Sequence, residues 1–141
     1  MRLALQTDYA LRTLMYLAAV ARRATAADVA ELYGISGHHV AKVVQQLARL
    51  GYVRGIRGIG GGIELARPAE EIRLGEVIVA FEGNMHLLEC VGASGVCVIE
   101  SFCKLKRVLA DAEDIQMNYL NGVTLADVVP TRRQLERRQT A

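Results

Sequence analysis

The chain has 141 residues, of which 52% are hydrophobic and 23% are charged, and its formal net charge is +2. This length and composition predict one domain, or one small domain with an extension, and exclude a chain that is disordered throughout. The longest stretch without Asp, Glu, Lys or Arg has only 12 residues (115–126), whereas a membrane-spanning helix needs roughly 20 apolar residues. Asp8 and Arg12 interrupt the apolar pattern of the N-terminus, which a secretory signal does not tolerate. We therefore expect a cytoplasmic protein without membrane contact.

Apolar residues recur at helical spacing over residues 3–21 and predict a first helix. Asp8 and Arg12 lie four residues apart on one face of this helix, a spacing that modestly favours helix formation.

Two short helices follow, one over about 26–33 and one from an N-cap at Ser36 to about Leu50. Thr25 followed by Asp28 resembles the capping arrangement that opens a helix. A tight turn at Gly34 joins the pair, which is the helix-turn-helix pattern. The apolar residues predicted to face inward on the third helix are Val40, Val43, Val44, Leu47 and Leu50.

A β-hairpin is predicted next, with one strand beginning at Tyr52 and Val53 and its return strand containing Ile63 and Leu65. The segment between them, residues 54–62, is too rich in glycine for a helix and predicts a flexible tip. A helix-turn-helix followed by such a hairpin makes a winged helix, which we assign to residues 1–67.

The remainder divides into a linking helix with a cysteine-containing loop (68–101), a long helix with a terminal turn (102–130), and a tail (131–141). The linking helix is predicted over 74–82. The tail is basic and lacks an apolar pattern, so we expect it to be flexible.

One face of the long helix is charged and includes Lys106 and Glu113. The other face is apolar, and we assign it to dimerisation through Leu105, Val108, Leu109, Ala112, Ile115 and Tyr119. The predicted fold class is therefore mainly α with a small β-hairpin wing: a winged helix-turn-helix plus a long C-terminal dimerisation helix.

Charge is uneven along the chain: residues 37–67 carry five basic side chains and one acidic one, and residues 68–100 carry one basic and six acidic ones. A basic zone on a winged helix favours double-stranded DNA, with the start of the third helix in the major groove and the wing in the minor groove. Alternatively, the hairpin is merely loose and the fold docks a protein. The candidate DNA contacts are Ser36, His38, His39, Lys42, Arg54, Arg57, Gly60, Gly61 and Gly62.

The three cysteines, Cys90, Cys97 and Cys103, all lie within 14 residues. Their spacing matches neither a close pair of zinc ligands nor the bacterial ferredoxin run. Thiolates bind soft metals and iron–sulfur clusters, and three of them leave one position of a four-ligand cluster open. The alternatives are a redox switch without metal and three inert thiols. An enzyme is not expected, because no phosphate-binding loop or nucleophile–base pair is present.

Five segments together resemble the iron–sulfur winged-helix transcriptional regulators of the NsrR, IscR and RirA group, most closely its nitric-oxide-sensing branch. They are LQTDYALR (5–12), YGISGHHVAKVV (33–44), GYVRGIRGIGGGI (51–63), FCKLK (102–106) and TLADVV (124–129).

The resemblance implies a homodimeric repressor whose iron–sulfur cluster, 4Fe–4S rather than 2Fe–2S, is held by Cys90, Cys97 and Cys103. It also implies a fourth ligand from the other subunit, at the position that Asp8 occupies, with Arg12 orienting that carboxylate. Nitric oxide would react with the cluster and release the DNA. The gap between the first two cysteines is longer than is typical of the nitric-oxide branch, so a regulator of iron availability stays open, as does a thiol switch without metal.

Overall fold

The structure is a computed structural model that describes residues 2–139, with side chains up to residue 137. Eight helices and one two-stranded antiparallel sheet make up this part of the chain. In chain order they are α1 (Leu5–Val20), α2 (Ala26–Tyr33), α3 (Gly37–Arg49), β1 (Val53–Ile56), β2 (Gly62–Leu65), α4 (Leu74–Glu82), α5 (Glu89–Gly92), α6 (Lys104–Gly122), α7 (Leu125–Val128) and α8 (Arg132–Gln139). None of the helices in residues 2–139 is both long and apolar enough to cross a membrane.

The predicted helix-turn-helix is confirmed. The Thr25 hydroxyl accepts a hydrogen bond from the Asp28 backbone N–H, and the Asp28 carboxylate accepts one from the Thr25 N–H, so this capping box starts α2. Gly34 ends α2 in the left-handed conformation.

The third helix buries Val40, Val43 and Leu47 against α1 and α2. The prediction that Leu50 also faces inward is wrong, since its side chain is 42% exposed. Leu50 is the capping residue that follows the end of α3 at Arg49, beyond the turns of the helix that pack on α1 and α2.

The predicted hairpin is confirmed, with Val53 paired to Leu65 and Ile56 paired to Gly62. A second bridge joins the hairpin to the linker between α1 and α2, because Ala24 and Ile63 exchange backbone hydrogen bonds of 3.0 and 2.7 Å. The wing is therefore hydrogen-bonded to the helix-turn-helix as well as covalently connected to it.

The fourth helix begins at Leu74 and ends at Glu82, as predicted, and it packs between α1 and α6. Its last residue holds the start of α1: the Glu82 carboxylate accepts hydrogen bonds from the Ala4 N–H at 2.7 Å and the Thr7 hydroxyl at 2.5 Å. Since Ala4 cannot cap α1 with its own side chain, a carboxylate from a distant helix satisfies a free N–H at this terminus.

The long helix α6 has two different faces. Leu109, Met117 and Leu120 are partly buried against the same chain. The opposite face is exposed and carries Leu105, Val108, Ala112, Ile115 and Tyr119. Five of the six residues assigned to dimerisation thus share one exposed stripe, whereas Leu109 lies outside it.

The C-terminal tail differs from the prediction of a flexible end, because residues 132–139 form α8; residues 140 and 141 lie outside the described residues. Thr131 and Gln134 cap the helix reciprocally, with hydrogen bonds of 2.8 and 3.2 Å. Leu135, the one large apolar residue of the segment, packs on the core beside α2. A cap and one apolar contact are enough to order a segment that has no apolar repeat.

Replacing Glu82 with alanine is expected to lower the free energy of unfolding by about 1–3 kcal/mol, measured by urea denaturation. Thr7 is fully buried, so the variant leaves its hydroxyl without a partner. Thr7→Val in the Glu82→Ala background removes that hydroxyl, and the double variant should lose less stability than the sum of the two single variants. Additive losses would contradict the assignment.

Candidate nucleic-acid interface and cysteine loop

The N-terminal end of α3 presents polar side chains to solvent. Ser36, His38 and Lys42 are all exposed, and the Ser36 side chain makes no capping hydrogen bond to the helix. Three predicted DNA contacts therefore lie together on one end of the helix. This is the part of a recognition helix that reaches base edges in a major groove.

His39 lies differently from its neighbour His38. Its ring stacks on Tyr9 of α1, with the ring centroids 6.3 Å apart and the ring planes 29° apart. The two rings help to line a groove of about 250 Å³ between α1 and α3, which Leu5 and Lys42 also border. His39 is thus in contact with the first helix, whereas the backbone places His38 on the outer surface.

Gln45 is a candidate DNA contact that the sequence analysis missed. It is exposed and lies seven residues, two helical turns, beyond His38 on the same outer face of α3. Glutamine pairs with adenine in the major groove through two hydrogen bonds. The helical repeat that places Val40 and Leu47 inward was the signal that could have identified it.

The wing carries fewer free charges than its sequence suggests. The Arg54 guanidinium pairs with the Glu64 carboxylate on the opposite strand at 2.8 Å, and Arg23 approaches the same carboxylate at 3.7 Å. Arg57 makes no hydrogen bond or ion pair with the other residues described. Of the two wing arginines predicted to contact DNA, Arg57 is the available one and Arg54 is already paired.

Two of the wing glycines are required by the wing itself. A side chain at Gly61 would begin 2.3 Å from the Ile56 carbonyl oxygen, and one at Gly62 would begin 2.5 Å from the Ala24 oxygen. The sequence predicts both glycines as contacts with DNA. In the structure they permit close approach of the backbone to itself.

Asp8 and Arg12 form the expected ion pair on α1, with 2.8 Å between the Arg12 Nε and an Asp8 carboxylate oxygen. The Arg12 guanidinium also lies over the Tyr33 ring at the end of α2, 5.5 Å from its centroid. Both charged side chains are more than one-third exposed, so the pair itself adds little stability. The pair also has a structural role, because the Arg12 guanidinium contacts both the Asp8 carboxylate and the Tyr33 ring and so links Asp8 to the helix-turn-helix.

All three cysteines are free thiols on the segment between α4 and α6. Cys90 and Cys103 are partly buried and Cys97 is exposed. The Cys103 sulfur accepts a hydrogen bond from the Lys106 N–H at 3.4 Å, at the start of α6. Among the residues with described side chains, no three His, Cys, Asp or Glu groups lie close enough to share one metal ion. The donors suit an iron–sulfur cluster in their chemistry, but a single chain does not bring them together.

Two carboxylates anchor the cysteine loop to α6. Glu113 accepts a hydrogen bond from the Leu87 N–H at 2.6 Å and lies 3.0 Å from the His86 Nδ1, upstream of Cys90. Glu100 accepts hydrogen bonds from the Gly95 N–H at 2.5 Å and the Lys106 ammonium at 2.6 Å. The bond from Lys106 lowers the pKa of Glu100. Glu113, which the helical pattern placed on the charged face of α6, is instead buried.

Several known proteins are similar to this chain in sequence and in fold. The profile of the Rrf2 family, described as an iron-dependent transcriptional regulator, matches residues 3–131. The chain is 39% identical over 138 residues to the HTH-type transcriptional regulator NsrR of Geobacillus kaustophilus (strain HTA426), covering 96% of this chain and 94% of that protein. The oxidised form of Staphylococcus aureus CymR superposes with a TM-score of 0.73 at 26% identity, covering 92% of this chain and 96% of that one. T. potens IscR superposes with a TM-score of 0.73 at 23% identity, covering 100% of this chain and 93% of that one.

The hydrogen bond between His86 and Glu113 predicts a pH-dependent contribution to stability. The hydrogen bond from His86 lowers the pKa of Glu113 below its ordinary value of 4.5. A carboxyl group with a lower pKa in the folded state contributes stability above its unfolded pKa, and the contribution is lost as the pH falls through the folded-state pKa. We expect Glu113→Gln to lower the free energy of unfolding by about 1 kcal/mol near neutral pH.

That difference from wild type should shrink as the pH falls below about 4.5, measured by urea denaturation in steps from pH 7 to pH 3. Glu89→Gln, at an exposed residue of α5, is the matched control. A difference for Glu113→Gln that stays constant over the whole range would show that the charge of this group is not what stabilises the fold.

Proposed function

Because the chain belongs to the Rrf2 family of DNA-binding transcriptional regulators, we propose that it is a homodimeric repressor whose affinity for DNA responds to nitric oxide through an iron–sulfur cluster. The observation that carries the proposal is the position of the cysteines: all three lie between α4 and α6, on a loop anchored to the helix whose exposed stripe we assign to the dimer. Family membership itself places the chain among regulators rather than enzymes.

The DNA contacts that we propose come from α3 and the wing. Ser36, His38 and Lys42 would enter a major groove, with Ser36 close to a phosphate, and Arg57 would reach the adjacent minor groove. One recognition helix contacts only a few base pairs. A dimer that places two such helices on successive half-sites binds more tightly and recognises a longer DNA sequence.

The dimer contact would be the exposed stripe of α6. Its residues follow one another at intervals of three or four, the spacing with which helices pack side by side. Ile115 and Tyr119 are 71% and 72% exposed in the single chain. A second copy of the same helix would remove this apolar area from water, which is the main favourable term in association.

The cluster ligands that we propose are Cys90, Cys97 and Cys103, completed by Asp8 of the partner subunit. When bound, an iron–sulfur cluster of this kind, 4Fe–4S in our proposal, supplies iron that reacts with nitric oxide. A carboxylate is a harder ligand than a thiolate and binds such iron more weakly, so its iron is the most accessible to a small reactive molecule.

Arg12 is the residue through which a change at Asp8 would reach the DNA-reading elements. Its guanidinium contacts both the Asp8 carboxylate and the Tyr33 ring at the end of α2. A shift of the carboxylate therefore changes a contact of the helix-turn-helix directly. Coupling free energies between sites are typically about 1–3 kcal/mol, so a modest shift suffices to weaken binding of DNA.

A thiol switch without metal is the second candidate. Its support is that the three free cysteines are not gathered into a metal-binding group within the described side chains, and that an oxidised CymR shares the fold. In that case two of the cysteines would form a reversible disulfide. An iron-availability regulator would use the same ligands as the main proposal and differ only in its signal.

An anaerobic absorbance titration with nitric oxide, with DNA binding followed in parallel, tests the proposal. We expect a coloured protein that bleaches at a few equivalents of nitric oxide per cluster and loses affinity for DNA over the same range. A coloured protein whose DNA affinity ignores nitric oxide but follows iron removal would assign it to iron sensing. A colourless anaerobic preparation would favour the thiol switch.

Two variants check the ligands in the same titration. Cys97→Ala should abolish the cluster absorbance and leave a folded dimer by size-exclusion chromatography; full absorbance would remove Cys97 from the ligand set. Asp8→Ala should keep part of the absorbance and alter the response of DNA binding to nitric oxide. An unchanged titration would remove Asp8 from the site.

The dimer contact predicts that Ile115→Glu gives a folded monomer, because the substitution places a charge within the apolar stripe. The measurement is sedimentation equilibrium at micromolar concentrations, with circular dichroism to verify the helix content. Gln116→Glu, one position along the same helix and outside the stripe, is the control and should remain dimeric. An unchanged dimer for Ile115→Glu would place the interface elsewhere.

A further inference from the structure

Ile59 at the tip of the wing is 108% exposed, more than any other large apolar residue of the described chain. It lies between β1 and β2, and the proposed function gives it no role. An isoleucine surrounded by water lacks the favourable free energy that its side chain gains when it is buried. The rest of the wing explains why this side chain cannot fold back onto the protein.

The tip is a defined turn rather than a loose loop. The Gly61 N–H donates a hydrogen bond to the Gly58 oxygen at 3.0 Å, which closes a four-residue β-turn with Ile59 in its second position. Gly60 follows with a φ of +73°, the backbone angle that a type II turn requires in its third position. Arg23 also donates to the Gly60 oxygen, at 3.4 Å. The turn therefore holds Ile59 at the apex of the hairpin, pointing away from the body of the chain.

The surroundings of Ile59 are basic. Arg57 lies two residues before it and makes no ion pair with the described residues, while Arg54 and Arg23 further back share the single carboxylate of Glu64. An apolar tip beside one unpaired arginine fits a surface whose rim is anionic and whose floor is narrow. The minor groove of DNA has this arrangement, with phosphates on both edges.

We propose that Ile59 is a specificity-determining residue in the minor groove. Its side chain favours base pairs that lack the exocyclic amino group of guanine. This inference rests on the proposed entry of the wing into that groove. An A·T pair presents only acceptors on the groove floor, while a G·C pair adds the N2 amino donor of guanine. An isoleucine side chain accepts no hydrogen bond, so covering that amino group leaves it without a partner, and an unsatisfied buried donor is costly.

This role differs from that of Arg57 in a measurable way. An arginine in the minor groove responds to groove width and to phosphate charge, so it contributes to the salt dependence of binding. Ile59 carries no charge, so its removal should leave the salt dependence unchanged and alter only the response to the amino group. Arg57 would thus contribute to DNA binding through its charge and the shape of the groove, and Ile59 would contribute through apolar contact with the base pairs.

The test uses a duplex that the anaerobically purified full-length protein selects from a random 30-base-pair library. Minor-groove footprinting of this complex identifies the base pairs beneath the wing. Three versions are then compared, with A·T, G·C or inosine·C at those pairs. Inosine lacks the N2 amino group but presents the same major-groove atoms as guanine, so the inosine·C duplex removes that amino group and its Watson–Crick hydrogen bond while the major-groove atoms stay the same.

We expect wild type to bind the A·T and inosine·C duplexes at least about fivefold more tightly than the G·C duplex, since an unsatisfied donor costs about 1 kcal/mol or more. Ile59→Ala should bind all three alike, with the wild-type dependence on salt. Arg57→Ala is the matched comparison: it should keep the discrimination against G·C and show a weaker salt dependence.

Two outcomes would overturn the inference while leaving DNA binding in place. One is equal binding of wild type to all three duplexes. The other is a preference that persists in Ile59→Ala, which would assign it to groove width and Arg57. Failure of wild type to select or bind any duplex would instead overturn the proposed function, and the inference with it.

Discussion

The packing of α1 through the middle of the molecule is the constraint on which the rest of the structure depends. Ala10, Leu14 and Leu17 are essentially buried, and the helix contacts α2, α3 and β2 as well as α4 and α7. Its two buried threonine hydroxyls have partners: Thr7 donates to Glu82, and Thr13 donates to the Tyr9 oxygen. A helix fixed on so many sides transmits a displacement at its first turn, where Asp8 lies, to both halves of the chain.

The parts of the fold that follow from local chemistry could be predicted from the sequence. The apolar repeat predicted α1, α2, α3, α4 and α6 but neither α5 nor α8, the Thr25 and Asp28 pair predicted the start of α2, and the glycine-rich segment predicted the hairpin. Each successful prediction depends on residues within a few positions of one another. The contacts that could not be predicted join residues far apart in the chain. Glu82 and Thr7 are 75 positions apart, and Glu113 and Leu87 are 26 apart. No local spacing encodes such pairs, so a buried carboxylate was assigned to a charged surface.

The candidate site likewise combines features that could be predicted from the sequence with contacts that could not. The sequence supplied the three thiols and the pair of Asp8 and Arg12, and the structure places the members of that pair in contact. It does not gather the thiols, because the loop is anchored through its backbone and its carboxylates rather than through the cysteines. Arg54 is a further case: its charge suggested DNA, yet the register of the hairpin sets it opposite Glu64. Cross-strand pairing can neutralise a charge that composition counts as free.

The backbone bridge between Ala24 and Ile63 has a consequence for how such a regulator can change its output. It joins the hairpin to the linker before α2 through two backbone hydrogen bonds, so the hairpin cannot move away from that linker without breaking them. In the dimer that we propose, a signal would then change the distance and the angle between the two subunits. Those two quantities would decide which half-site spacing the dimer fits, while the bases read within each half-site stay the same.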